Sequence, residues 1–234
     1  MKSCVKYLLF ILVAVITSTS GHAQQIRGAV IGGFNLSQVD GDEVYGFKKP
    51  GLNLGAAAIV PFTDRWSVSL ETLFNQKGSR EREQYRTTDT NDVLYTGEYK
   101  LRLDYLEVPV LVHYNDRDRI TAGVGFSWGR LVNVEEWEHG RKVETTTLNS
   151  GTYDPNDINI LADIRFRLYK RFRMNFRYSY SLAKIRTREF EPIPGTPGKP
   201  EVRDQYNNLL SFRIIYIFNE KPPTADTRNE DASF

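Results

Sequence analysis

Cysteine is all but missing from this 234-residue chain: the single one, Cys4, lies in the N-terminal segment and does not stand at a cleavage site as a lipid-modified cysteine would. Disulfides, zinc-thiolate sites and a cysteine nucleophile are therefore excluded from the remainder. Long apolar runs are equally scarce. Tyr7 to Ile16 is short for a spanning helix, and no later stretch approaches the roughly 20 apolar residues such a helix needs. Net charge is small as well: the formal +2 falls to zero once Lys2 and Lys6 are removed, which leaves nothing to recruit nucleic acid electrostatically. Histidine is limited to His22, His113 and His139.

What the chain does contain begins with an address. Lys2 and Lys6, the apolar segment, and the small-residue site Gly21-His22-Ala23 read as a secretory signal peptide over residues 1–23. Residues 24–218 then hold eight stretches in which apolar and polar residues alternate, placed at about 26–37, 51–62, 65–78, 99–114, 118–133, 158–170, 171–183 and 206–218. In Trp66 to Phe74, for example, Trp66, Val68, Leu70, Thr72 and Phe74 share one face, opposite Ser67, Ser69, Glu71 and Leu73. Most stretches exceed the roughly 9 to 11 residues that a tilted strand needs to cross a bilayer.

Alternation alone cannot say which face meets solvent; loop rhythm can. The connections Pro61 to Arg65, Asn115 to Arg119 and Lys170-Arg171 are tight, and those between them are long and polar. Short periplasmic turns, long extracellular loops and an even strand number define an all-β, eight-stranded antiparallel up-and-down transmembrane β-barrel. The mean hydropathy of −0.45 fits, because only every second strand residue faces lipid. A soluble barrel of lipocalin type is the alternative with its faces reversed. Aromatic residues such as Phe62, Trp66, Phe172 and Phe218 gather by the short turns, where an interfacial girdle would sit. Gly32, Gly33, Gly55, Gly123, Gly125 and Gly129 fall inside strands, where they permit the sharp coiling of a small barrel. In the fourth strand Lys100, Arg102 and Asp104 share parity with Leu106 and Val108, so either residues 99–104 project above the membrane or a bulge near Tyr105 switches the face. Projection is the preferred reading.

Three short motifs occur in order: Gly32-Gly33-Phe34-Asn35-Leu36-Ser37, Gln76-Lys77-Gly78 and Asp104-Tyr105-Leu106-Glu107-Val108-Pro109. On these residues the chain resembles the PorT-like outer-membrane β-barrel family typical of Bacteroidota, over essentially the whole barrel. The polar tail 219–234, expected to be disordered in the periplasm, departs from barrels that stop at a strand-terminal aromatic. The resemblance implies the fold and an outer-membrane location. One member type is linked to secretion and gliding-type export, a role that no residue of this chain marks.

By strand parity Glu71, Glu107, Asp163, Arg165, Arg167, Arg173, Arg177 and Arg213 point into the lumen. Eight strands leave an interior only wide enough for side chains, so these charges are read as a plug of salt bridges, with a selective channel as the alternative. Glu71 and Glu107 could form an acid-base pair, but neighbouring arginines would keep both ionised. His139, near Glu135, Glu136 and Glu138, is the one histidine placed to serve an outer-rim enzyme or metal site. Solvated loop charge is the simpler reading. Asp40-Gly41-Asp42-Glu43 lacks the later ligands of a calcium loop and reads as a turn. Glu135 to Asp157, with Thr145, Thr146, Thr147 and Tyr153, is read as a solvated loop ahead of β-ribbon extension or partner contact. Glu191 to Pro200 is too proline-rich to extend the strands and reads as an exposed arch. No catalytic, cofactor-binding or metal residue is assigned. The expected protein is a monomeric, non-enzymatic barrel that touches the outer-membrane bilayer, the barrel-insertion machinery and a surface partner through its loops.

Overall fold

The computed structural model describes residues 26–82, 97–116, 119–190 and 199–218. The expected signal peptide, the polar tail and residues 191–198 of the proline-rich arch lie outside them.

Eight long strands carry the fold: β1 (Arg27–Asp40), β2 (Lys49–Pro61), β3 (Trp66–Lys77), β5 (Tyr99–Asp116), β6 (Ile120–Glu138), β8 (Asn156–Tyr169), β9 (Phe172–Ser181) and β11 (Glu201–Ile217). Each pairs antiparallel with its chain neighbour, and β1 closes on β11 in a register running from Ala29↔Ile217 to Asp40↔Tyr206. The result is an eight-strand ring without a free edge in the membrane. Three short strands, β4 (Arg80–Glu81), β7 (Arg141–Lys142) and β10 (Arg186–Phe190), extend the wall on the side of the long loops.

Alternation becomes two chemically opposite surfaces. On β8, Ile158, Ile160 and Ile164 are exposed while Asp157, Asn159, Asp163 and Arg165 are buried. The same inversion runs around the ring, with Val124 65% and Phe126 58% exposed on β6. Outside-apolar and inside-polar is the arrangement lipid requires, and it excludes the lipocalin-type alternative. Rings line the outer face near the short turns, where Trp66 meets Tyr114 at 5.0 Å and Phe172 meets Tyr216 at 4.9 Å.

On β5, Leu101, Leu103, Tyr105 and Glu107 are buried on one parity, and Lys100 and Arg102 stay on the outward one with Leu106. The strand therefore keeps its faces through residues 99–104, with Asp104 on the outward parity buried against Arg102 and Asn133. A register shift does fall at Asp104/Tyr105, but the extra residue is Val132 of β6, which has no partner between Leu131 and Asn133. Gly41 to Asp42 forms a turn in which Val44 donates to the Asp42 carboxylate.

One loop expectation needs correction. Residues 135–157 are more than solvated loop: β6 runs on to Glu138, β7 returns as a short ribbon, and Thr146 and Tyr153 are buried. The last connection is flanked by a further ribbon, β10 pairing with the first residues of β11 from Arg186↔Gln205 to Phe190↔Glu201, on either side of the proline-rich stretch. On β5 and β6 the inward parity stays apolar toward the long loops, in Leu101, Leu103 and Val134, and gives the ribbon something to cover.

Candidate functional site

The lumen is built in layers. In the periplasmic half, Glu71 of β3 receives both prongs of the Arg177 guanidinium from β9 at 2.9 Å, Arg165 of β8 at 3.1 Å and Arg213 of β11 at 3.4 Å. Asp163 binds the same three arginines at 2.8, 3.3 and 3.8 Å. Arg213 also donates from Nε to Asn175 at 2.8 Å. Three guanidiniums and two carboxylates thus share one buried cluster.

Beside it lies a row in which Ser69 Oγ is 2.8 Å from His113 Nε2, and His113 Nδ1 is 3.5 Å from Asp163 Oδ1. His113 and Asp163 stand on strands either side of β6, and they meet because Gly123 lies between them. A β-carbon there would fall 2.1 Å from His113 Nδ1 and 2.6 Å from Asp163 Oδ1. The row has the connectivity of a nucleophile relay. Its chemistry is different, since Arg165 also donates to Nε2 at 2.9 Å and so requires a lone pair on that nitrogen. Protonating the imidazole, as a general base must be, would set two cations in contact, and Ser69 is wholly buried. Glu71, His113 and Asp163 also offer ligand atoms within 4.8 Å of one another, but the three arginines already supply the positive charge there.

A second cluster sits above. Lys77 Nζ lies 2.5 Å from Glu107 and 2.8 Å from Asp157, donates to Asn159 at 3.3 Å, and packs over the Tyr105 ring. Asp157 accepts from Ser181 and from Asn207. Asn75 donates to Glu107 at 3.0 Å and accepts from Asn35 and Asn53, tying the upper cluster toward the lower one. Lys77, Arg165, Arg177 and Arg213 balance Glu71, Glu107, Asp157 and Asp163, so these eight charges cancel.

Over the outer mouth Val39, Leu101, Leu103, Tyr105, Leu131, Val134, Tyr153 and Ile185 form an apolar cap. Glu136 fastens it, accepting from Tyr99 at 2.8 Å, Thr146 at 2.8 Å and Arg186 at 3.0 Å, while Arg186 also donates to Tyr153 at 2.7 Å. Burial alone would raise the Glu136 carboxyl, but Arg186 and the two hydroxyls hold it below its usual range. Burial likewise pushes the Tyr153 phenol up to about 12. Replacing Arg186 with glutamine should loosen the cap by about 1.5–3 kcal/mol, seen as roughly tenfold or faster amide exchange in residues 143–155. Because the folded Glu136 carboxyl sits below its ordinary value of 4.5, its contribution is complete above that pH and lost as pH falls below it. Unchanged exchange in the variant would show that the cap does not hang on Arg186.

Of the residues expected inside, Glu71, Glu107, Asp163, Arg165, Arg173, Arg177 and Arg213 are buried there, and Arg167 is half-buried. Glu71 and Glu107 do not form a pair: the first sits among arginines, the second against Lys77. His139 lies exposed in a left-handed turn, and its acidic neighbours disperse, Glu135 to Arg102 and Lys142, Glu136 into the cap, Glu138 to Arg188. Lys77, His113 and Asp157 were not anticipated, although each shares parity with an inward residue of its own strand: Glu71, Glu107 and Asp163.

A closed antiparallel ring with lipid-facing apolar residues and a charged, packed interior defines a transmembrane β-barrel. Residues 22–186 match the model of the outer membrane protein beta-barrel domain family, and the chain belongs to it. The protein is thus an outer-membrane protein of a Gram-negative bacterium, embedded in that bilayer, with the short turns in the periplasm. Among solved structures it is similar to the attachment invasion locus protein Ail of Yersinia pestis, 13% identical over 82% of this chain and 99% of that one, with a TM-score of 0.45. Neisserial surface protein A is 9% identical over 82% and 97%, TM-score 0.45. OprG of Pseudomonas aeruginosa is 12% identical over 84% and 98%, TM-score 0.41. No curated protein matches the chain by sequence.

Proposed function

We propose that this is a monomeric, non-enzymatic barrel whose filled lumen is structural and whose cap and outer loops meet a partner at the cell surface. On this reading residues 1–23 are a cleaved signal peptide, 24–218 the barrel delivered by the insertion machinery, and 219–234 a periplasmic tail. The PorT-like motifs Gly32 to Ser37, Gln76 to Gly78 and Asp104 to Pro109 support a Bacteroidota origin, with an accessory place in an export machinery as one form of the role. The observation that carries the reading is the lumen itself: eight buried charges pair with one another in two clusters beneath an apolar cap, which fills the narrow interior with side chains.

A second reading, a small channel, draws on a specific feature. Asn159 Nδ2, Asn207 Oδ1 and both polar atoms of Gln205 are buried in the upper lumen without a protein partner, and such groups call for water. Planar-bilayer recording separates the two. The filled-lumen reading expects a silent membrane at neutral pH, whereas reproducible single-channel steps from the purified barrel would establish the channel in its place.

A further inference from the structure

The periplasmic end of the barrel is not electrically uniform. On one wall, the end of β8, the start of β9, the end of β11 and the start of β1 come together in residues 166–174, 214–218 and 26–30. These contain Arg27, Lys170 and Arg171 at the rim and no aspartate or glutamate. Across the ring, the turn 62–65 and the end of β5 set Asp64 and Asp116 beside their basic residues. Among the described residues, the excess positive charge at this end therefore lies on one side.

Lys170 adopts φ 44° in the two-residue turn, a left-handed conformation, and both turn residues are exposed. The Arg171 carbonyl accepts from Ile217 at 3.1 Å and the Gly28 carbonyl from Phe218 at 2.8 Å, so β11 ends between Arg171 on one flank and the strand of Arg27 on the other. Immediately toward the membrane lies an aromatic shelf. Phe172 lies tilted against Tyr216 at 4.9 Å, Tyr216 meets Phe218 edge to face at 5.3 Å, and Tyr169, under the Lys170 ammonium at 4.9 Å, is 63% exposed.

We propose that this wall binds the anionic headgroup of a glycerophospholipid in the inner leaflet, with Lys170 and Arg171 at the phosphate and the acyl chains against the Tyr169, Phe172, Tyr216 and Phe218 rings. The shelf selects a lipid over a soluble anion, because the cations and the rings that face hydrocarbon form one continuous surface. A zwitterionic headgroup would satisfy the rings and leave the excess charge unmet. The preference should follow the wall and not the whole circumference.

Tryptophan quenching by brominated lipid tests this position by position. One reporter carries Phe172→Trp in a background of Trp66→Phe, Trp128→Phe and Trp137→Phe; the control retains Trp66 alone, across the ring. Both are reconstituted in phosphatidylcholine bilayers with brominated phosphatidylglycerol or brominated phosphatidylcholine, after their heat-dependent gel shift has shown that the barrels are folded. At position 172, phosphatidylglycerol should associate roughly fivefold better than phosphatidylcholine. That ratio should fall to one with Lys170→Gln and Arg171→Gln, and should be one throughout at Trp66. No preference at 172, an equal preference at both positions, or a preference that survives the double substitution would each overturn the proposal.

Discussion

Replacing Glu71 with leucine should cost the barrel about 3–5 kcal/mol, the largest loss expected from any single lumen substitution. Glu71 accepts from Arg165, Arg177 and Arg213 together, and without it three buried guanidiniums face Asp163 alone. The cost is that of leaving charge desolvated and uncompensated, more than the worth of any one bond. Removing Arg213 as well restores the original charge balance of the cluster, so the pair Glu71→Leu with Arg213→Leu should recover part of the loss. Denaturant unfolding of the purified barrel in lipid vesicles, followed by tryptophan fluorescence, measures both. If the single variant stayed within about 1 kcal/mol of wild type, the lumen charges would have to be solvated, and the channel reading would gain what the filled-lumen reading lost.

Gly123→Ala is expected to destabilise by about 1–3 kcal/mol through overpacking, a large effect for one methyl group. The new carbon would fall 2.1 Å from His113 Nδ1 and 2.5 Å from His113 Cε1, closer than any real contact. His113→Ala removes the two nearest of these contacts and leaves Asp163 Oδ1 at 2.6 Å, at the expense of the Ser69 and Arg165 hydrogen bonds. The double variant should therefore be more stable than the sum of the single effects by about 0.5–3 kcal/mol. Strict additivity in the same unfolding assay would mean that Gly123 does not hold the space through which His113 reaches Asp163.

The two faces of each strand were legible because a period of two is local. Once Asp163 and Arg165 are placed inward, Asp157 and Asn159 follow by counting. Which acid meets which cation was not, since that depends on the stagger of strands around the ring. Glu71 finds Arg165, Arg177 and Arg213 on β8, β9 and β11, none of them neighbours of β3, while Glu107 finds Lys77 on the adjacent strand. The glycines illustrate the same limit. Read along the chain, Gly33, Gly123 and Gly129 look like aids to coiling; in the ring they leave room for Arg213, His113 and Glu107. The cap was hidden for a different reason. Thr146 and Tyr153 sit in a polar stretch with no periodicity, and their apolar partners are the extramembrane ends of β5 and β6.

The salt bridges of the lumen also constrain the order in which the protein can be assembled. Glu71 is separated along the chain by 94 residues from Arg165, 106 from Arg177 and 142 from Arg213. No early hairpin can neutralise it, so a partly formed sheet entering hydrocarbon would carry the bare Glu71 carboxylate with its first four strands and, with its last three, three guanidiniums that share Asp163. Contacts of such long range are slow to form, because loop closure must precede the interactions that reward it. The β1 and β11 seam, which joins the first strand of the ring to the last, therefore completes the one interior in which Glu71 meets Arg213.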